Sequence, residues 1–495
     1  MKLSELLAGH DHEILRGDPD TTITAPVAID AHRVAPGALF IAVPGHPQGG
    51  PEAIGRALAR GAAAVLVEAA DPREAPAPAA VPGGTRACVV RVRDTRAAAS
   101  AVAARYHGEP GRAMDTVAVT GTNGKTSVSY MVESVLRLAE GAAVGVIGTA
   151  GSRIGDEPIP MPRSVLTTPE APDFQYLLGR MRDRGVATVV LEATSMGLLE
   201  HRVDHAHVDV GVFTNLTQDH LDDHGTMENY RDAKLRLFQG LCERAVVNAD
   251  DPVGASIGAL MPGAVTTYAL DAEADYRATD LDMDAHGTRF TLHHAGRKYP
   301  AAVPVPGRFS VANALATVAA CHLLGHGLPG LIGALDRMDP VPGRLERFET
   351  PSGVSVIVDY AHSPDSLEKV LTAVRDFARG RVITVFGCGG DRDNTKRAPM
   401  GKIAGTHSDL CVLTSDNPRN EDPDRIMDQI APGLDATATR YERLADRREA
   451  IGFALAEAGR GDLVLIAGRG SEPHQIVGER LIPFSDMATV RELAR

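Results

Sequence analysis

The sequence predicts an α/β fold in three domains, and three observations carry that expectation. Short apolar, β-branched runs alternate with amphipathic segments, the pattern of a parallel sheet covered by helices on both faces. At 495 residues the chain has the length of roughly three domains. Two Gly/Pro clusters, His107-Gly-Glu-Pro-Gly-Arg112 and Pro340-Val-Pro-Gly-Arg344, fall where linkers belong. The expected domains are therefore residues 1–110, 111–340 and 341–495.

The first domain reads as a small α/β unit. Gly37–Pro44 is a strand and turn, Ala53–Ala59 a short helix and Ala62–Glu68 a buried strand. Asp71–Gly84 is a proline-rich loop, and Ala97–Tyr106 is a helix leading to the first linker. The middle domain opens with the β-branched run Thr116–Thr120. Gly121-Thr-Asn-Gly-Lys-Thr126 follows as a tight turn, and Val128, Met131, Val132, Val135, Leu136 and Leu138 repeat at helical spacing. Further strands are Ala143–Thr149, Ala187–Glu192, Val208–Thr214 and Ala245–Asn248. The third domain has strands at Val354–Val358, Val382–Phe386, Asp409–Thr414 and Asp462–Ile466, which makes it Rossmann-like although it lacks a GxGxxG fingerprint. Polar residues cluster just after each strand, where open α/β sheets bind ligands.

Composition limits the functions available. The chain is 44% hydrophobic and 23% charged, a normal globular balance. No apolar run reaches the ~18 residues of a membrane span, and the start of the chain, Met1-Lys-Leu-Ser-Glu-Leu-Leu-Ala-Gly-His10, is too polar for a secretion signal. Five cysteines (Cys88, Cys242, Cys321, Cys388, Cys411) form no CxxC pair, so reduced thiols in a cytoplasmic protein are expected, with neither disulfides nor a zinc site. A net charge of −13 argues against nucleic-acid binding. The expected partners are small molecules, not nucleic acid or membrane.

Strand, glycine turn, Lys-Thr and helix is the layout of a phosphate-binding loop. Glycines let backbone N–H groups close around phosphate oxygens, and the helix N-terminus adds a favourable dipole. Gly121, Thr122, Asn123, Gly124, Lys125, Thr126 and Ser127 are the nucleotide-binding candidates, with Lys125 on the terminal phosphates and the Thr126 hydroxyl on Mg²⁺. Only Thr122 and Asn123 separate the glycines, so the general nucleotide-loop spacing is not met and a plain turn before a helix stays open. Glu192, at a strand end, reads equally as a satisfied polar terminus or a metal ligand. Asp219, His220, Asp222, Asp223 and His224 sit together just after a strand and favour a Mg²⁺ and substrate site. Lys234, on a helical segment, reads by itself as a solvated charge.

Gly-Thr-Asn-Gly-Lys-Thr resembles the loop of the Mur ligases, the ATP-dependent amide-forming enzymes of peptidoglycan synthesis. Thr214-Asn-Leu-Thr-Gln-Asp-His-Leu-Asp-Asp-His-Gly225, continuing through Met227-Glu-Asn-Tyr230 to Ala233-Lys234, is similar to the MurE type. The resemblance runs nearly the full length. It implies an N-terminal domain for the UDP-sugar acceptor, a central P-loop-type ATPase domain with a parallel sheet, and a C-terminal domain for the amino acid. It implies ATP and two Mg²⁺ ions, with Thr126, Glu192, His220 and a carbamylated Lys234 as ligands. It implies that Lys125, Glu192, His220, Lys234 and Arg344 are catalytic. Asn248, Asn313, Arg344, Asp359 and His362 would join the phosphate loop around the nucleotide. Thr167, Thr168, Thr194, Glu200 and Arg202 would bind the carboxylate substrate. The protein would act as a cytoplasmic monomer serving cell-wall synthesis, and through it cell shape and division.

In the MurE type, Asp-Asn-Pro-Arg marks enzymes that add meso-diaminopimelate, and Asp416, Asn417, Pro418 and Arg419 match it. The distal carboxylate of that amino acid suits the bidentate fork of Arg419, with Arg392 as a second cation. Gly468 and Glu472 match a further contact segment, Glu472 facing an ammonium; the usual Lys-Gly-His there is Arg469-Gly-Ser471. The expected reaction forms an acyl phosphate on UDP-MurNAc-L-Ala-D-Glu and then an amide with the diamino acid, releasing ADP. The chain departs from the family near the uridine, with Asp30-Ala-His32 for Asp-Ser-Arg, Gly45-His-Pro-Gln-Gly-Gly50 without its acidic residue, Glu192-Ala-Thr-Ser-Met196 for Glu-Val-Ser-Ser-His, and Glu200 for Gln. These changes leave a second reading, a MurE-like ligase of specialised metabolism acting on a non-UDP carboxylic acid. A nucleotide-binding scaffold without activity is disfavoured by the retained Lys125, Glu192, His220, Lys234 and Arg344. A folylpolyglutamate-synthetase-like enzyme is disfavoured by Asp416–Arg419.

Overall fold

The computed structural model describes residues 1–68, 87–161, 166–284 and 286–494. The loop expected at Asp71–Gly84 lies outside them. The chain divides into two compact units, one of residues 1–118, 142–211 and 233–243, the other of residues 119–141, 212–232 and 244–495.

In the first unit, a five-stranded sheet has the order His12–Arg16, Cys88–Val92, Ala64–Glu68, Ala38–Ala42, Ala25–Ala28. Its central strands, Ala38–Ala42, Ala64–Glu68 and Cys88–Val92, are largely buried on both faces, as their apolar runs require, whereas the edge strand His12–Arg16 is exposed to half-buried. Leu39, Ile41, Leu66 and Val90 pack with Ala98 and Val102 of the helix Thr95–Tyr106 on one face. Phe40, Val65, Val67 and Val89 pack with Ile54 and Ala57 on the other. A second group of strands includes Thr188–Glu192, parallel to Val144–Gly148, followed by antiparallel Gly151–Ile154 and Glu157–Pro158.

In the second unit, the six-stranded sheet near the C-terminus has the order Glu346–Glu349, Ser355–Asp359, Leu463–Ala467, Val382–Phe386, Leu410–Leu413, Arg440–Arg443. All neighbours are parallel except the first pair. Two cores cover its faces, one through Ile357, Leu465 and Phe386, the other through Val356, Val358, Val385 and Ile466. The loops after Asp359, Phe386, Leu413 and Ala467 leave carboxyl ends of this sheet and carry the polar motifs.

The middle sheet, expected as parallel, carries antiparallel strands that the sequence reading did not identify. Cys242–Asn248, Val265–Ala269 and Tyr276–Asp284 run parallel, but Gly287–His294 and Arg297–Val303 complete an antiparallel meander. One face of these strands is exposed, so charged residues interrupt the apolar pattern that marks the buried strands. Among the described residues, no helix is long and apolar enough to cross a membrane.

Candidate active site

The strand Asp115–Thr120 runs into the glycine turn and the helix Lys125–Glu140, both of the second unit. Gly121 has φ 142, and a Cβ there would lie 1.9 Å from Thr214 Oγ1. Only glycine therefore lets the turn close against the next strand's loop. Thr122 N donates to Asn215 O at 2.8 Å, Asn123 N to Asn215 Oδ1 at 3.0 Å, and Thr214 Oγ1 to Asn123 O at 2.6 Å. Lys125 Nζ donates to Gly121 O and Thr122 O at 2.9 Å each, which lays the ammonium over the turn. Ser127 follows in the first helical turn. Asn313 sits beside Gly124, where a Cβ would meet its Oδ1 at 2.7 Å. Arg344 Nη2 donates to Thr126 Oγ1 at 3.2 Å, and its guanidinium lies 4.4 Å from the Tyr360 ring centre.

Three expected nucleotide residues stand one step back from the loop. Asn248 donates to Thr214 O at 2.8 Å. Asp359 accepts from Leu345 N and Ala361 N at 2.8 Å each, pinning the segment that carries Arg344. Burial raises the Asp359 carboxyl, with Arg344 and these two N–H groups opposing it. His362 Nε2 lies 3.7 Å from buried Asp219, which also has Lys396 Nζ and His220 Nε2 at 3.9 Å. Burial would raise the Asp219 carboxyl, yet the charges of His362, His220 and Lys396 overcome it and hold it at about 2. His220, Asp222 and Asp223 each bring a ligand atom within 4.8 Å of the others, a set able to hold a cation.

In the first unit, Glu192 ends its strand 2% exposed. It accepts from Thr149 N at 2.9 Å and Thr149 Oγ1 at 3.0 Å. Thr168 Oγ1 donates to Glu192 O at 2.7 Å and lies 2.9 Å from Thr194 Oγ1, while Thr167 Oγ1 is 3.3 Å from Thr149 Oγ1. Arg202 donates to Thr168 O at 3.0 Å and pairs with Glu170 and Glu200; Arg96 meets Glu200 at 3.1 Å. Lys234 is buried, 1% exposed, in the helix Met227–Leu235. An oxygen-rich nest around a strand-end carboxylate is thus in place.

Profiles of three known domain families match the chain in order: "Mur ligase family, catalytic domain" over residues 25–107, "Mur ligase middle domain" over 119–321, and "Mur ligase, glutamate ligase domain" over 343–470. The chain is 41% identical over 502 residues to the UDP-N-acetylmuramoyl-L-alanyl-D-glutamate--2,6-diaminopimelate ligase of Syntrophomonas wolfei subsp. wolfei, covering 100% of this chain and 99% of that one. The chain belongs to the Mur ligase family, MurE type. A second relative, the 2,6-diaminopimelate ligase 2 of Clostridium acetobutylicum, is 37% identical over 495 residues with both chains fully covered. A solved UDP-N-acetylmuramoyl-L-alanyl-D-glutamate--2,6-diaminopimelate ligase superposes at TM-score 0.69 with 31% identity, covering 100% of this chain and 98% of that one. Membership gives the three-domain Mur architecture and the family's reaction class, ATP-dependent amide formation with release of ADP.

This Mur ligase carries a second polar cluster in the C-terminal part of its chain. Asp416 and Asn417 are buried after the strand Leu410–Leu413. Asn417 Nδ2 donates to Glu472 Oε2 at 2.8 Å, and Gly468, at φ 119, lies so close that a Cβ would be 2.4 Å from Asp416 Oδ2. Burial and the Asp416 charge push the Glu472 carboxyl up, against Asn417 and Arg469. Pro418 leads to Arg419, whose Nη1 donates to Gly390 O at 2.8 Å. Burial, and then the charge of Arg392, push the Arg419 guanidinium down. Arg392 itself lies 3.6 Å from Asp222.

Sequence reasoning passed over several contributors. Asp365 accepts from Asn123 Nδ2 at 2.9 Å, Tyr360 carries Arg344 on its ring, and buried Arg447 pairs twice with Asp486 at 2.8 Å beneath the Glu472 segment. The position of Asp365, three residues after His362 at a helix start, was the one available signal.

Proposed function

We propose that this enzyme adds meso-2,6-diaminopimelate to UDP-MurNAc-L-Ala-D-Glu, through an acyl phosphate, as a step of peptidoglycan precursor synthesis in the cytoplasm. The observation that carries the reading is the loop Asp416–Arg419 set against Glu472. The buried Asp416 carboxylate and the partly buried Glu472 carboxylate would seat an ammonium, and guanidinium groups at Arg419 and Arg392 suit the distal carboxylate that lysine lacks. Full-length relatives named for this reaction favour it over a ligase acting on a non-UDP acid.

The substrates are ATP, the diamino acid and the UDP-linked dipeptide. Lys125 and Arg344, both at the phosphate loop, would offset charge on the transferring phosphoryl group. The threonines around Glu192, with Arg202 and Glu200, would orient the acceptor carboxylate. In this reading residues 1–110 hold the UDP-sugar, residues 111–340 the ATP, and residues 341–495 the amino acid. Positioning by separate chain segments would supply much of the rate.

Mg²⁺ favours oxygen ligands, and within the second unit Asp222 and Asp223, with His220 beside them and ligand atoms within 4.8 Å of one another, are donors that would hold it; the Thr126 hydroxyl and the Glu192 carboxylate are the ligands that the family resemblance adds. Lys234, buried in the helix Met227–Leu235, would be the carbamylated lysine, an anionic oxygen ligand. Bound Mg²⁺ supplies electrostatic stabilisation of phosphoryl oxygens.

The test is phosphate release from ATP with meso-diaminopimelate, with and without UDP-MurNAc-L-Ala-D-Glu, with mass spectrometry for the tripeptide. Acceptor-dependent turnover yielding that tripeptide is expected. Folded, ATP-binding protein that shows none would overturn the reading.

A further inference from the structure

The amine-binding loop is not held by its own strand alone. After Glu472 the chain turns back as a hairpin, His474–Val477 and Arg480–Pro483, forming a separate two-stranded sheet. Gly478, at φ 57, supplies the positive φ that its two-residue turn requires.

The hairpin grips Asp416–Arg419 from end to end. Gln475 Nε2 donates to Asp416 O at 2.5 Å, and Ile476 N donates to Asn417 Oδ1 at 2.9 Å. Arg419 N donates to Ile476 O at 3.1 Å, and Gly478 N donates to Arg419 O at 2.7 Å. Arg419 thus joins the hairpin edge as a one-residue parallel bridge to Val477. It does so at φ 50, a left-handed conformation that a residue with a Cβ keeps only when its surroundings over-determine it. Both of its peptide groups are fixed by the hairpin, so the origin of the guanidinium is fixed with them.

At its base Arg469 Nη2 donates to His474 O at 2.5 Å and Phe484 N to Pro473 O at 3.0 Å. Val477, Leu481 and Ile482 are 38%, 55% and 42% exposed, and an isolated two-stranded hairpin is marginal in water. Its bonds to the loop are therefore part of what holds the hairpin in place. Neither Gln475 nor Ile476 belongs to a motif.

We propose that the hairpin His474–Pro483 sets selection for an amino acid with a distal carboxylate, and that Gln475 is its positioning residue. The proposal rests on the reading of Asp416–Arg419 as the amine site. Gln475→Met removes the donor at similar volume, and Gln475→Lys restores one. Q475M is expected to raise KM for meso-diaminopimelate by about fivefold, the loss of one hydrogen bond. KM for ATP and the melting temperature stay unchanged, discrimination against L-lysine falls, and Q475K recovers most of the loss. Hydrogen–deuterium exchange at the amides of Arg419, Ile476 and Gly478 quickens in Q475M.

An unchanged KM for the diamino acid, or equal rises for it and ATP, overturns the proposal. Wild-type protein inactive with meso-diaminopimelate overturns the substrate reading instead. The hairpin's role is then decided by exchange alone: faster exchange in Q475M upholds the clip, and unaltered exchange overturns it.

Discussion

Glu472 shows how one residue's surroundings set a testable pH dependence. Its carboxyl is raised by burial first and by Asp416 next. A raised folded-state pKa gives stability that is full below the ordinary carboxylate range and lost as pH rises through the shifted value. An ammonium ligand binds the ionised form and offsets that loss. KM for meso-diaminopimelate should therefore fall as pH rises through the shifted value, read from steady-state kinetics between about pH 5 and about pH 8. Glu472→Gln should flatten the profile and leave KM for ATP in place. At the phosphate loop, Lys125→Ala should lower kcat by about a hundredfold or more, because it removes a fixed cation from the phosphoryl group. The strand, glycine turn and helix around Lys125 and Thr126 were legible because the turn needs glycines at a fixed spacing. Lys234 was not, since its burial comes from packing that helical periodicity does not reveal. Asp365 was not either, because it reaches the loop from more than two hundred positions away.

At the scale of elements, strands buried on both faces were readable because their apolar runs are continuous. The meander Tyr276–Val303 was not, as one exposed face breaks the runs with charge. Turn geometry gives a sharp test here. Gly121→Ala places a Cβ against Thr214 Oγ1, the group that holds Asn123 O, and at a φ that disfavours side chains. ATP affinity should fall by about tenfold or more in calorimetric titration while the rest of the fold persists. The start of an interior strand of the C-terminal sheet gives another. Asp462, at the start of the strand Leu463–Ala467, accepts from Gly459 N at 2.9 Å and from Arg381 N, Nε and Nη2 at 2.8, 3.0 and 2.7 Å. Burial would raise its carboxyl, and these four donors bring it down instead. A lowered folded-state pKa gives stability present above the ordinary carboxylate range and lost as pH falls through the shifted value. Asp462→Asn should cost about 1–3 kcal/mol in urea unfolding at neutral pH. The deficit against wild type should shrink as the pH is lowered below about 4.

For the whole molecule, the order of three family segments was legible from length, linkers and motifs. The division into compact units was not, because the chain leaves and re-enters the first unit twice, at residues 142 and 233, and no linker marks those crossings. The nucleotide residues proposed in the second unit, Gly121–Thr126, Asn313 and Arg344, come from widely separated stretches that the fold brings together. A ligand that bridges them binds the folded state only. ATP with Mg²⁺ at a hundredfold excess over its Kd should therefore stabilise the protein by about 2.7 kcal/mol, seen as a higher Tm in calorimetry. Lys125→Ala should erase that shift, because it removes the ammonium that lies over the phosphate loop. Chelation of Mg²⁺ by EDTA should shrink the shift in wild type and leave the ligand-free Tm unchanged. A drop in the ligand-free Tm on chelation would instead make the metal a structural element, with His220, Asp222 and Asp223 as its first suspects.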